Sequence, residues 1–448
     1  MTASHHRPPP PAAGADPGPG TPAEPGPPVG PTAPGDPTLG GASEKGALRP
    51  LWMQVYLPNL VLAAGQGAML PVLVYAAHDL HATPGVATAV VAANAFGTML
   101  FDLPAGRVVA RLGENRSGWL GAALMAAGLV GCLLAGSVPV LAASLFVQAG
   151  GLALWSLARL THLSRVAPPA VRGRALSLFG GVMRAGNVIG PFVFVAVAAR
   201  NDAAAAFAVY LVAVLLALLW LVAARDRSDH EASAGRQETV RPLRVLHDHR
   251  RGFATSGVGA FGIMLLRGSR TAIVPLWAAH IGLGSSTAAT IFAWTSLVDL
   301  ALFYPAGVVS DRWGRRAVAL PCIALLSVGH LLIPLSHSAR GLFAVALLLG
   351  VGNGMGSGIV MTLGADLSPA VGRASFLSVW RLVSDAGNTT GPLVDSVVVA
   401  AASITFAGPV AGVLGLVAGV VLAVGLEEPG RRRASPASPA GPHGTGVG

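Results

Sequence analysis

Apolar and polar residues alternate along this chain in long blocks, not in the short rhythm of a soluble fold. From Trp52 onward, apolar runs fall at 52–77, 84–106, 117–136, 140–163, 174–198 and 203–224. A polar, arginine-rich stretch at 225–252 interrupts them. Six more follow at 253–280, 286–307, 317–336, 340–364, 374–401 and 405–426. Each is about 20 residues or longer, enough to cross the hydrocarbon of a bilayer as a helix. A backbone in lipid must satisfy its own hydrogen bonds, and these runs are far too long for barrel strands. The pattern predicts an all-α membrane protein of twelve transmembrane helices in two sets of six.

The flanks read differently. Residues 1–47 are rich in Pro, Gly and Ala and cannot bury enough apolar surface to offset their ordering entropy, so they are expected to be disordered. The polar tail 427–448 is read the same way. No apolar segment of signal-peptide type follows the start, so none is expected. The domain reading is a tail (1–47), a first bundle (48–224), a basic linker (225–252), a second bundle (253–426) and a tail (427–448).

The two sets are copies. Pro104, Ala105, Gly106 and Gly113 recur as Pro305, Ala306, Gly307 and Gly314, a shift of 201 residues. The same shift pairs Gly151 with Gly352, Thr161 with Thr362, Pro168 with Pro369, Arg172 with Arg373 and Ser177 with Ser378. It also carries Ala185, Gly186, Asn187, Gly190 and Pro191 onto Ala386, Gly387, Asn388, Gly391 and Pro392. Six crossings return the chain to the side on which it began. The duplication is therefore a parallel one, about an axis normal to the membrane.

Composition agrees: 53% of the 448 residues are hydrophobic and 11% charged, against about 25% charged in a soluble domain. The net charge of +10 suggests nucleic acid only until the charges are placed. With the N-terminus inside, the inner segments hold Arg7, Lys45, Arg49, Arg107, Arg111, Arg116, Arg165, Arg172, Arg174, the arginines of 225–251, Arg312, Arg315, Arg316, Arg373 and Arg431 to Arg433. The outer loops hold only Arg200 and Arg340. That asymmetry is the positive-inside rule. It puts both termini in the cytoplasm of a multi-pass protein of the plasma (inner) membrane, and it accounts for the charge with the lipid bilayer as partner and no nucleic acid. Cys132 and Cys322 fall inside apolar runs with no partner at metal-ligand spacing, and no disulfide is expected.

Arg159, Arg184, Arg267, Arg270 and Arg381 fall within the spans, with Asp299, Asp385 and Asp395. A charge near the bilayer centre costs a few kcal/mol or more unless it faces protein or water (about 2.5–3.5 on insertion scales). Spans 3, 6, 9 and 12 carry none in their interiors and can face lipid; the others line something polar. Arg267 and Arg270 lie roughly 21–26 Å into span 7 at 1.5 Å per residue, and a spacing of three puts them on one face. Arg184 and Asp385 are repeat mates. Arg381 and Asp385, at i and i+4, can pair. Arg159, close to an inner helix end, can snorkel, and Asp395 sits near an outer end. The charges read either as a polar cavity for substrate or proton, or as ion pairs joining the halves.

Two motifs carry mechanics. Gly106 and Gly307 let helices approach closely, and Asp311 can accept from backbone N–H groups or from an arginine across the seam between the halves. Arg312, Arg315 and Arg316 anchor the inner interface. The runs at 185–191 and 386–392 place packing glycines beside a proline in mid-membrane, and matched bends there suit rocking. Trp52, Trp119, Trp220, Trp277 and Trp313 read as interface anchors, and His162, His280 and His330 as incidental. No P-loop occurs, so ATP-driven transport is not expected. No zinc, haem or nucleophile–base constellation stands out, so neither a cofactor, a metal nor an enzymatic site is expected.

These residues resemble a known family. Two sets of six spans, a long middle loop, and Gly307, Asp311, Arg312, Gly314, Arg315 and Arg316 after span 8 look like the major facilitator superfamily, over roughly 50–427. The first copy keeps Gly106, Arg107, Arg111 and Gly113 but has Ala110 where the family usually has an acid. Gly186, Gly190 and Pro191 on span 5 are similar to the signature of the drug/proton antiporter branch, although 192–195 lack the glycine pair that usually follows. That branch commonly has an arginine before a glutamine on span 4; Gln148 is present, and Leu145 occupies the arginine position. The resemblance implies a monomeric secondary transporter whose spans 1, 4, 7 and 10 line a cavity. The reading is proton-coupled efflux of a small organic molecule, with Arg267 and Arg270 on the substrate and Asp299 or Asp385 carrying the proton. Uptake of an anionic metabolite is the alternative within transport, and a transporter-like sensor that moves nothing is the alternative outside it.

Overall fold

The computed structural model describes residues 52–167, 172–198, 203–223, 242–356, 358–369 and 372–426. The two tails and most of the basic linker lie outside them. Twelve long helices follow in order among the described residues. In the first half they are α1 (Trp52–Asp79), α2 (Pro84–Leu112), α3 (Glu114–Leu133), α4 (Val138–Val166), α5 (Arg172–Val197) and α6 (Ala203–Ala223). In the second they are α7 (Val258–His280), α8 (Ser285–Trp313), α9 (Arg316–Leu332), α10 (Ala339–Leu367), α11 (Arg373–Ala401) and α12 (Ile404–Gly425). Two short helices, Pro242–Asp248 and Arg250–Gly252, and a π-helical turn, Phe253–Gly257, lead into α7.

The stretches 103–115 and 303–316 are mostly helix, not loop. α2 and α8 continue past the apolar run and stop only at Gly113 and Gly314, with φ of 81° and 90°. Side chains other than glycine pay for that left-handed backbone. This is the physical reason the same glycine recurs at the same place in both copies.

Ten of the helices are long and apolar enough to cross a membrane by composition. The two that fall short are α7 and α11, which carry Arg267, Arg270, Arg381, Asp385 and Asp395. Most of α7 is buried, including Arg270, whereas Arg381 of α11 is exposed. By contrast α6 and α12 turn rows of large apolar side chains outward, among them Leu215, Leu219, Val417 and Val420, the faces that suit lipid.

The packing is the same in each half. In the first, α1 packs on α5 and α6, α4 on α2 and α3, and α3 on α6; in the second, α7 packs on α11 and α12, α10 on α8 and α9, and α9 on α12. The halves meet chiefly through α2 with α11 and α5 with α8, pairs that the repeat exchanges. The glycine motifs are the seams. A Cβ on Gly190 would stand 2.1 Å from the Ala64 carbonyl of α1, and one on Gly391 would stand 2.2 Å from the Leu265 carbonyl of α7. Gly186 and Gly387 press on the same two helices. Gly67 and Gly268, themselves repeat mates, receive the backbones of Asn187 and Asn388. α5 and α11 run as helix through Pro191 and Pro392.

Several expectations are corrected. Arg159 does not snorkel. It is buried against the start of α3, donating to the Glu114 carbonyl and Asn115 Oδ1 and lying 5.5 Å from the Trp155 ring centre. His162 is buried too, 3.0 Å from Glu114, which also takes Arg165 at 2.8 Å. Trp277 is no surface anchor: it is buried and donates to the Ser336 carbonyl at 2.8 Å. Asp311 does not reach across the seam but takes Arg315 of its own half at 2.8 Å. A Cβ on Gly307 would meet nothing within 4 Å, so no helix closes on it here.

Candidate functional site

A cavity of about 270 Å³ lies between the halves. From the second half it is lined by Arg267, Arg270 and Thr271 on α7, Phe292, Ser296, Asp299 and Leu300 on α8, Asn353 on α10 and Asn388 on α11. From the first half come Gln66 and Leu70 on α1 and Arg184, Asn187 and Val188 on α5. Four of the charged residues singled out from the sequence thus share one space. α1, α7 and α10 contribute as expected; α4 supplies no lining residue, and its Gln148 instead donates to Tyr210 Oη at 3.1 Å.

The charges are fixed by their surroundings. Arg270 is buried; it donates to Thr295 Oγ1 at 2.9 Å and stands 5.3 Å from the Phe292 ring centre. Arg184 crosses from α5 to lie 4.0 Å over the Phe303 ring of α8, a cation–π contact between the halves. Asn353 Nδ2 donates to Asp299 Oδ2. Asp299 is the anionic neighbour of both Arg184 and Arg270, and Arg267 is their cationic neighbour. Three guanidinium groups against one carboxylate leave the cavity positive, in a setting where water screens poorly.

The walls are chemically unequal copies. Gln66 stands where its repeat mate is Arg267, and Leu70 where its mate is Thr271, while Asn187 and Asn388 match. At these matched positions α1 offers an amide where α7 offers a charge, and the asparagines are common to α5 and α11. Sequence reasoning took Asn187 and Asn388 only as part of a bend motif and passed over Gln66, although the 201-residue shift pairs it with Arg267.

Arg381 and Asp385 are not in this cavity. They pair at 3.4 Å along one face of α11, as their spacing predicts, but Arg381 also reaches Asp102 of α2 at 3.1 Å. These three line a second cavity of about 360 Å³, with Met99, Ser156 and Phe179 among its other walls. Asp102 was visible as an acid inside the second apolar run and was missed.

The ends of the halves differ. At the end holding the α1–α2 and α7–α8 turns, Tyr75 Oη donates to the Leu283 carbonyl at 2.9 Å and Ser396 Oγ to the Gly85 carbonyl at 2.8 Å. Phe192 and Trp294 meet edge to face at 5.8 Å. At the arginine-rich end, the described hydrogen bonds of Asp311, Arg315 and Arg316 stay within the second half, and Gly180, Gly181 and Gly307 border open space. Among the described residues, these bonds join the halves at the end with the turns, and the arginine-end motif makes none across.

Comparison with known proteins agrees with this geometry. The sequence profile described as "Major Facilitator Superfamily" matches residues 56–266 and 256–444. An arabinose-proton symporter of Bacillus subtilis (strain 168) is 30% identical over 81 residues, 18% of each chain, so the match spans less than a fifth of that relative. Among solved structures, a peptide transporter POT in complex with sulfate superposes with a TM-score of 0.70 at 16% identity, covering 84% of this chain and 93% of the other. A D-xylose-proton symporter gives 0.65 at 17%, covering 84% and 97%. The inward-open xylose transporter from E. coli gives 0.66 at 15%, covering 86% and 98%. At such identities the structures speak for the fold, and the profile, spanning both halves, speaks for the lineage: this all-α, multi-pass membrane protein belongs to the Major Facilitator Superfamily.

Proposed function

We propose that the protein is a proton-coupled secondary transporter of a small organic anion, working by alternating access. The single observation that carries this is the cavity between the halves, in which Arg184, Arg267 and Arg270 face one carboxylate, Asp299. A carboxylate or similar acid on the substrate would offset part of this excess positive charge, most directly on Arg267 and Arg270. The amides of Gln66, Asn187 and Asn388 would take its neutral polar groups. The unequal contacts between the halves at their two ends support this reading, since alternating access requires them to close at one end at a time.

Export is the direction we favour, with the arginine-rich end toward the cytoplasm of the inner membrane. The resemblance of Gly186, Gly190 and Pro191 to the drug/proton antiporter signature supports it. Uptake is the second reading, because two of the proteins named above are sugar-proton symporters. Coupling to protons needs a carboxyl that changes charge. Asp299 and Asp385 are the carriers expected from the sequence, and both have arginines beside them.

The test is flux in proteoliposomes holding the purified full-length chain. Labelled small carboxylates and their uncharged amides are offered with and without an imposed pH gradient. The expected result is gradient-driven movement of acids in preference to amides, with exchange of acid for acid when no gradient is present. Equal handling of acids and amides would overturn the anionic reading. No exchange of any probe would favour a non-transporting sensor.

A further inference from the structure

Asp395 is a carboxyl of α11 that lines neither of the two cavities described above. It is wholly buried on α11, at the seam with α7. Ser269 Oγ donates to its Oδ1 at 3.0 Å. Its Oδ2 has no hydrogen-bond partner among the described residues. Asp395 lies six residues before the outer end of α11, and its partner Ser269 lies midway along α7.

The surroundings contain no counter-charge. On α7, Arg267 and Arg270 turn to the cavity, where Arg270 is held by Thr295 and Phe292. His280 is exposed at the far end of that helix. α12 carries no charged residue, and neither does α2 before Asp102. On α11 itself, Asp385 is ten residues away, about 15 Å along the helix, and Arg381 is farther. The pieces that bind the other spanning acids, Arg381 for Asp102 and Asp385 and the cavity arginines for Asp299, are absent here. Sealing an ionised carboxylate from water without a cation costs several kcal/mol even after relaxation, on the order of the full desolvation penalty.

The seam is also mechanically placed. Ser396, the next residue, makes the bond to the Gly85 carbonyl that helps close the halves at this end. A Cβ on Gly85 would touch Ala400 of α11 at 3.2 Å. Separation of the halves at this end must break the Ser396 contact, one residue from the buried acid.

We propose that Asp395 is the proton-carrying carboxyl: it holds a proton while α2 and α11 are closed at this end and exchanges it with water when they part. This rests on the proton-coupled reading above and names the group that does the coupling. Ser269 is its positioning residue, holding one oxygen so that the other faces the route that opens.

The test needs no substrate. Spin labels are attached to the full-length protein in nanodiscs through His81→Cys and Thr287→Cys, exposed positions of the two halves at the closing end. Cys132 and Cys322 are buried and are replaced by Ser as a precaution. The distance distribution is then followed across about pH 5–9, a span wide enough to catch a displaced carboxyl. The expected result is one pH-dependent shift between populations, lost in Asp395→Asn, which stays at the acid limit. In Ser269→Ala the midpoint should rise by about one pH unit, because a hydrogen bond to the charged form is lost. An Asp395→Asn protein that titrates like its parent overturns the proposal and leaves proton coupling standing. If Asp395→Asn does not fold, an unmoved midpoint in Ser269→Ala overturns it. A parent protein that does not respond to pH removes proton coupling and this assignment together.

Discussion

Arg315 and Asp366 lie 2.8 Å apart, and 201 residues earlier their repeat mates Glu114 and Arg165 lie 2.8 Å apart with the charges exchanged. The duplication has kept the bond and reversed its polarity. In each half it ties the turn after the second helix to the end of the fourth. The geometry of the attachment therefore matters more than which side is positive.

The second half should accept the first half's polarity. Arg315→Glu alone places two acids, and a third in Asp311, where one cation stood, and should cost about 1–3 kcal/mol, the range for losing a partly buried charged hydrogen bond. Arg315→Glu with Asp366→Arg should recover at least half of that. Thermal unfolding in detergent, read as a double-mutant cycle, checks it. A double variant no better than the single would mean that Asp311 or Ser310, which Arg315 also touches, is the important partner.

Small residues at the α1–α5 and α7–α11 seams should be irreplaceable, and a neighbouring glycine dispensable. Gly190→Ala and Gly391→Ala drive a methyl into backbone at 2.1 and 2.2 Å, an overpacking that costs about 1–3 kcal/mol or more. Gly307→Ala meets open space in this state and gains helix propensity, worth up to about 1 kcal/mol. The expected order of melting temperatures is Gly307→Ala at or above the parent, with both seam variants well below it. If Gly307→Ala is stable but slows transport, the helices do close on Gly307 in the other state.

His81 and Gly282 occupy matching turns after α1 and α7, and both have left-handed backbone, φ 60° and 78°. Only glycine takes that conformation without strain, and a side chain costs roughly 1 kcal/mol there. His81→Gly should therefore raise stability by up to about 1 kcal/mol, and Gly282→His should lower it by a similar amount. A melting curve that moves the same way for both would contradict the strain argument.

Much of this architecture was legible because lipid leaves the chain few options. Twelve apolar runs gave twelve helices, and the single shift of 201 residues gave the repeated packing. Two things were not legible. Helix ends past the apolar run, as in α2 and α8, are set by the glycine that stops them, not by hydropathy. Partners across helices, such as Asp102 for Arg381 or Glu114 for Arg165, depend on which faces meet, and spacing within one helix says nothing of that. Arg267, Arg270 and Asp299 were found because a charge in an apolar run must face inward; Gln66 was not, and Asn187 and Asn388 were read only as parts of a bend motif, because amides cost too little to stand out.

The two arginines of α7 should fail in different ways, because they differ in burial. Arg270 is 5% exposed and tied to Thr295 and Phe292, whereas Arg267 is only half-buried at the cavity wall. Arg270→Ala removes a packed group and strips Asp299 of a neighbouring cation, and it should lose stability as well as substrate binding, by about 3–5 kcal/mol if the loss resembles other broken buried pairs. Arg270→Lys should rescue little, since a point charge cannot hold Thr295 and lie over the ring as a planar guanidinium does. Arg267→Gln installs what the first half carries at Gln66. It should leave the melting temperature close to the parent's, within about 0.5 kcal/mol in stability, while weakening the binding of acid probes about tenfold or more, roughly 1.4 kcal/mol. Its affinity for the matching amides should not change. Melting curves and equilibrium binding of acid and amide pairs, measured on the same preparations, separate these outcomes. Loss of amide and acid binding in parallel for Arg267→Gln would show that this arginine shapes the cavity and does not read charge.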